Sequence, residues 1–172
     1  IDSKRNDIND GSKRLYFSHN DSLYKEKKEK ISNFLKVEKK TKLENSDTFK
    51  KFFQKILRLK TSLNKSIDRI IENKKIIHGY GASTKGNVLL QFYGIGRKKI
   101  NFIADRNIEK NHHFTPGTKI KIITEKKSRS LRPDYYLVLP WHFKKEILKR
   151  EKSLLKNNVK FIFPLQEIKI IK

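Results

Sequence analysis

The sequence contains no cysteine and no methionine. Without thiols it can form no disulfide, no Cys-ligated zinc site and no thiol nucleophile. The lack of methionine, even at position 1, leads us to expect a piece of a longer or processed protein. Acidic residues are scarce: 18 stand against 42 lysines and arginines in 172 residues, a formal charge of +24. No apolar run approaches the roughly 18 residues that span a bilayer. The longest, at 135–140, is far too short, so no membrane partner is expected. There is no signal-peptide pattern, and the missing cysteines fit a cytoplasmic chain.

Only nine of the basic residues are arginines, so 33 are lysines. Arginine is the usual choice for specific phosphate and base recognition, because its planar fork binds two acceptors at once. Lysine spread along a chain rich in Ile and Asn predicts salt-sensitive, non-specific attraction to nucleic acid instead.

Residues 1–12 are polar and show no periodicity, as in a linker. Leu15-Tyr16-Phe17 is a short β-prone run. A very polar helix is expected over 22–40, with Asp21 or Ser22 as its cap and Ile31, Phe34, Leu35 and Glu38 on one face. Ser46 or Asp47 then caps a second helix. Its apolar residues, from Phe49 through Phe52, Phe53, Ile56, Leu63 and Ile67 to Ile71, recur at spacings of three and four. Such an amphipathic helix must lie against something.

From residue 74 the pattern changes. Strands are expected at 75–78, 99–104, 134–139 and 159–163, with a short extended piece at 120–123. Helices are expected at 84–92 and 141–155, with a helical turn at 124–130. Residues 105–118 read as a loop, and Pro164 as the end of the last strand. The strands are apolar runs rather than alternations, which marks a parallel sheet covered on both faces.

The most informative segment is Gly79-Tyr80-Gly81-Ala82-Ser83-Thr84-Lys85-Gly86-Asn87, between a strand and a helix. Gly79 and Gly81 permit a tight turn and a close backbone approach. The helix start beyond them offers free N–H groups with partial positive charge, a natural seat for a phosphate or pyrophosphate. Ser83, Thr84 and Lys85 add donors. Thr84 stands where the dinucleotide fingerprint has its third glycine, and Lys85 is followed by Gly86 rather than the Ser or Thr of a Walker loop. Two readings therefore stand: a phosphate cradle, or a βα turn whose glycines serve packing alone.

Ligands of open α/β sheets lie beyond the carboxyl ends of the strands. Asp105 there would accept a ribose hydroxyl, or simply close an Asx turn. Arg106 would pair with phosphate, or be solvated. Trp141, His142 and Phe143, after Pro140, would face the same crevice, or Trp141 would belong to the core. His112 and His113 are adjacent, point apart and have no third ligand nearby, so no metal site is expected.

Four ordered segments carry a resemblance. They are Gly79–Asn87, then Phe102-Ile-Ala-Asp-Arg-Asn107, then Thr115-Pro116-Gly117-Thr118, then Arg132-Pro-Asp-Tyr-Tyr-Leu-Val-Leu-Pro-Trp-His-Phe143. In order and spacing they resemble the C-terminal domain of sugar C-methyltransferases. These enzymes move a methyl from S-adenosylmethionine to a carbon of a keto-deoxysugar nucleotide. The resemblance extends over about residues 8–172, with residues 8–16 similar to a strand just upstream of a helical arm.

The resemblance implies a division of the chain. Residues 1–20 would be a linker and edge strand from the preceding methyltransferase domain, 21–73 a helical arm, and 74–172 a small Rossmann-like domain holding a nucleoside-diphosphate sugar. The fold class is then α/β, a mostly parallel sheet with helices on both faces behind that arm. Gly79–Asn87 would face the diphosphate. Asp105, Arg106, Thr115, Pro116, Gly117, Trp141, His142 and Phe143 would line the same cleft. S-adenosylmethionine would bind a preceding domain, not this chain, which alone would be inactive. No catalytic residue is carried over. Asp10 stands where the family usually has glycine, and Thr84 where alanine is commoner. The rivals are a basic nucleic-acid-binding protein, a fragment of an NAD-binding oxidoreductase, and a structural domain with a vestigial cleft.

Overall fold

The computed structural model describes residues 1–6 and 11–172. The Asp10 departure lies outside the described residues. By packing the chain forms two units, 1–55 and 56–172.

In the first unit, β1 (Asp2–Asn6) pairs antiparallel with β2 (Ser12–Tyr16), Asp2 opposite Tyr16 and Asn6 opposite Ser12. A linker was expected over residues 1–12. Asp-Ser-Lys-Arg-Asn has no apolar alternation to announce a strand, so this strand had no signature in side-chain pattern. Its anchor is ionic: Lys27 and Lys30 reach Asp2 at 3.0 and 2.6 Å. These two ammonium groups, Lys30 first, hold the Asp2 carboxyl well below the usual carboxylate range.

Helix α1 (Lys28–Thr41) starts six residues later than expected. The Ser22 hydroxyl closes a local turn with the Tyr24 N–H, 3.1 Å, rather than capping a helix. Helix α2 (Ser46–Glu72) is capped one residue earlier than expected, by the Asn45 side chain accepting from the Asp47 N–H at 2.8 Å. Among the described residues of this unit only Ser3 is buried. Phe49, Phe52 and Phe53 are half exposed.

The second unit begins inside α2. Leu63, Ile67 and Ile70, spaced four and three apart, are its buried stripe. Counting strands places the start of the sheet domain at residue 74; packing groups α2 from Ile56 onward with the sheet. The strands are β3 (Ile77–Tyr80), β4 (Phe102–Asp105), β5 (Lys121–Thr124), β6 (Tyr135–Val138), β7 (Lys160–Phe163) and β8 (Lys169–Ile171). Their order is β5-β4-β3-β6-β7-β8. The first five are parallel and β8 is antiparallel to β7. Strand β8 was not expected beyond Pro164, since Lys169-Ile170-Ile171 is too short to show a pattern.

Alternate strand residues enter two cores, as the period-2 side-chain geometry requires. Ile77, Ile103, Leu137, Leu139 and Ile162 face α2 and α3 (Thr84–Tyr93). Tyr80, Tyr136, Val138, Phe161 and Phe163 face the opposite side, with Ile147 of α5 (Lys144–Arg150) and Leu154 of α6 (Lys152–Lys156). Helix α4 (Glu125–Ser130), capped by the Thr124 hydroxyl, also packs on that side. The single helix expected over 141–155 is thus a 3-10 turn, Trp141–Phe143, then α5 and α6 broken at Glu151. The β4–β5 link has no crossover helix. After a 3-10 turn at Ile108–Lys110, Phe114 runs antiparallel to Lys121.

The second core holds a buried polar chain. His78 Nδ1 meets the Ser128 hydroxyl at 2.8 Å, which meets the Tyr136 hydroxyl at 2.9 Å. Burial lowers the His78 pKa to about 4. The unfolded chain, with His near 6.5, therefore binds more protons than the folded one between those values. Stability is full above about pH 6.5 and falls as pH drops through the folded pKa. Thermal melts from pH 7 to pH 4 should show this loss, and His78→Gln should flatten that part of the profile; an unchanged slope would refute the assignment.

Candidate ligand site at the carboxyl edge of the sheet

All five parallel strands end on one edge, at Tyr80, Asp105, Thr124, Val138 and Phe163. The chain winds outward from β3 through β4 to β5, and from β6 to β7 the other way. The loops after β3 and β6 therefore flank a crevice at the point where the strand order reverses.

The glycines of the first loop are set by turn and by packing together. Gly81 lies at φ +79°, where only glycine is unstrained, and a Cβ there would come within 2.8 Å of Pro140. A Cβ on Gly79 would stand 2.7 Å from Ile103, and on Gly86 only 2.4 Å from Leu139. The packing reading of these glycines thus holds for each of them. It brings α3 and β6 close together and does not displace a phosphate role for the backbone.

Hydrogen bonds fix which donors stay open. Gly81 N–H donates to the Ala104 carbonyl at 2.7 Å, and Ser83 N–H to the Gly81 carbonyl at 2.9 Å. Ser83 caps α3, its hydroxyl accepting from Gly86 N–H at 3.1 Å. The Thr84 and Lys85 N–H groups, in the first turn of α3, have no carbonyl behind them to bond. Both side chains are exposed, and no ion pair engages Lys85 among the described residues.

Asp105 is a latch. One oxygen accepts from Ala82 N–H at 2.7 Å and from Lys110 at 3.4 Å; the other accepts from Asn107 N–H at 2.8 Å. Lys110 also donates to the Ala82 carbonyl at 2.9 Å. The Asx-turn reading therefore describes the Asn107 bond, while the carboxylate as a whole pins the glycine loop. Arg106 beside it is exposed, without an ion-pair partner among the described residues.

Trp141 is half-buried and packs against both cores. His142 is half-buried, with Nδ1 shielded and without a hydrogen-bond partner, and its ring lies 4.3 Å from that of the half-exposed Phe143. Asn87 Oδ1 is likewise shielded and without a partner. The Tyr80 side chain is buried in the second core and points away from the crevice.

Thr115, Pro116 and Gly117 do not join this group. They precede β5, beyond the amino ends of the strands. A Cβ on Gly117 would stand 2.7 Å from the Gln91 side chain, near the end of α3. Thr115 is buried, its hydroxyl accepting from Ile120 N–H at 2.9 Å and meeting Thr118 at 2.6 Å.

Sequence reasoning missed Lys110 and the ionic group beneath the loop, Glu125, Arg129, Arg150 and Glu151. Lys110 had no signal. Glu151 had none that set it apart, since Glu146 is an acid in the same run rich in lysine and arginine. Burial raises the Glu125 pKa, with a smaller push from the Glu151 charge.

The comparisons with known proteins decide the family. The model described as "C-methyltransferase C-terminal domain" matches residues 7–166. The chain belongs to this family. It is similar to the C-methyltransferase NovU of Streptomyces niveus, 30% identical over 141 residues. That alignment covers 82% of this chain and 34% of the relative, so the chain spans about a third of that protein's length. In this C-methyltransferase domain, the loop after β3 and the turn after β6 are the parts that meet at the switch point.

Gly86→Ala should cost about 1–3 kcal/mol, because its Cβ would meet Leu139 Cβ and main chain rather than a flexible tip. Urea unfolding of the variant measures it, and an unshifted midpoint would show that α3 does not need this close approach.

Proposed function

We propose that this chain is the substrate-binding domain of an S-adenosylmethionine-dependent C-methyltransferase acting on a nucleoside-diphosphate keto-deoxysugar. The observation that carries the reading is local. Two N–H groups without an internal acceptor, on Thr84 and Lys85, open the helix after β3, and two exposed cations without an ion pair among the described residues, Lys85 and Arg106, follow β3 and β4 at the same edge of the sheet. That donor set suits a diphosphate. The strand order matches the doubly wound, Rossmann-like arrangement that binds nucleotides at such a point. Phe143 and His142 would cover the base or sugar. Thr115, Pro116 and Gly117, at the far edge beside the end of α3, would act through packing rather than by touching the ligand.

S-adenosylmethionine would supply the methyl group. Its sulfonium is cationic and does not fit a loop edge carrying Lys85 and Arg106, so the cofactor belongs on another part of the enzyme. The partner of this chain is then the S-adenosylmethionine-binding part, which α1 and the exposed start of α2 would adjoin. Methylation needs a proton removed next to the sugar ketone before carbon attacks the methyl. This chain's share is to hold the diphosphate so that the sugar carbon stays in register. Alone it would be inactive. No helix among the described residues is long and apolar enough to cross a membrane, and a cytoplasmic setting is part of the proposal.

One observation favours a second reading, non-specific nucleic-acid binding. A cleft of about 660 Å³ between α2, the start of β6 and Ile170 of β8 is lined in part by Lys65, Arg69, Lys75 and Tyr135. Charge alone would drive such binding.

Calorimetric titration with dTDP, GDP, CDP and UDP, at low and physiological salt, separates the two. One-to-one binding of one diphosphate should persist at physiological salt. Lys85→Ala should weaken it about tenfold or more, as loss of a charged hydrogen bond implies. Equal, weak binding of all four that vanishes with salt would overturn the substrate reading.

A further inference from the structure

Beneath the glycine loop, on the α4–α6 side of the sheet, lies a carboxylate that the ligand site does not use. Glu151 is 1% exposed. Its Oε1 accepts from the Tyr80 hydroxyl at 2.7 Å and from Arg150 Nε at 2.9 Å; its Oε2 accepts from Arg129 at 2.9 Å. Arg150 also donates to the Tyr80 hydroxyl and to Glu125, and its guanidinium lies 5.4 Å from the Tyr80 ring centre. Two acids and two arginines make the group neutral.

Stability is a poor reason for such a group. Buried ion pairs are often replaced by packed apolar side chains without loss, while removing one member strands the others. The connectivity offers a better reason. Tyr80 is the residue before Gly81, and its carbonyl accepts from Leu139 N–H at 3.0 Å. Glu125 opens α4 directly after β5. Glu151 itself sits at the break between α5 and α6, at φ −97° and ψ 24°, behind the Trp141–Phe143 turn. One carboxylate therefore ties the last residue of β3 to the chain segments that follow β5 and β6.

We propose that Glu151 is a positioning residue: through Tyr80 and Arg150 it clamps the root of the glycine loop, so that the Thr84 and Lys85 N–H groups are aimed before a ligand arrives. Its effect on affinity rests on the diphosphate reading of that loop; its effect on the loop itself does not.

The test uses the whole 172-residue chain and amide hydrogen exchange. Tyr80→Phe keeps the ring packed against Tyr136 and Phe161 and removes only the hydroxyl that Glu151 accepts from. Ser128→Ala is the control, since it cuts the neighbouring His78–Ser128–Tyr136 chain on the same face. Exchange at Gly81, Ala82 and Gly86, whose N–H groups are bonded, should quicken at least tenfold in Tyr80→Phe beyond any change in global stability. Ser128→Ala should leave those three amides in step with the rest of the sheet. Glu151→Gln should act like Tyr80→Phe, and the double variant should add little, because both break one linkage. Unchanged protection at the three amides, or a uniform loss equal to that of Ser128→Ala, would reduce Glu151 to a core residue and overturn the proposal. In the affinity arm, Tyr80→Phe should raise the Kd for the preferred nucleoside diphosphate at least fivefold, with Ser128→Ala unchanged. A wild-type chain that binds no diphosphate would remove the substrate reading, while the exchange arm still decides on Glu151.

Discussion

Five parallel strands of four residues each cannot hold a sheet by their ladder bonds alone; burial of both faces is what the unit from residue 56 onward depends on. Each strand divides its apolar residues between two cores, and each core needs its own cover. On one side that cover is α3 with the end of α2; on the other it is the α4–α6 group. Fully burying a side chain such as Leu137 or Phe161 contributes roughly 1.5–3 kcal/mol, so neither cover is dispensable. The glycines at 79 and 86 follow from this constraint, since they set how closely β4 and β6 approach their neighbours.

The same dependence explains what was legible in the sequence. The strands around Ile77, Ile103, Leu137 and Ile162 were readable because burial on both faces writes a run of apolar residues. Helix α3 was readable from the glycine turn before it; that the Ser83 hydroxyl caps it was not. Of the β1–β2 hairpin only the β-prone run at Leu15-Tyr16-Phe17 could be read; β1 could not, because its pairing rests on main-chain bonds and on lysines meeting Asp2. The short β8 carries too few residues for a period to show. The break at Glu151 was hidden because a polar residue drawn inward by arginines looks, in sequence, like one more charge on a solvated face.

The residues of the candidate site were legible by position and less so by what they bond. Gly79–Asn87, Asp105–Arg106 and the turn at Trp141 meet at one edge, as strand-to-helix order implies. The roles differ because hydrogen bonds redistribute them. Asp105 holds the loop with both oxygens, Tyr80 turns into the core, and Thr115 closes its own turn at the far edge. What stays open is a small set, the Thr84 and Lys85 amides with two neighbouring cations. Sequence shows which residues are present, whereas the open donors are those left after every internal bond is made.

The helix-free link between β4 and β5 has a consequence of another kind. His112 N–H donates to the Ile122 carbonyl and Ile122 N–H to that of His113. The outer border of β5 is thereby already occupied by the chain itself, so a foreign strand finds few free partners there. On the opposite border β8 offers only Lys169, Ile170 and Ile171, with Lys172 next to it. Sheets that end in short or charged borders resist stacking end to end into larger aggregates. This chain seals one end with its own backbone and guards the other with charge, a safeguard for a protein whose sheet would otherwise be open at both.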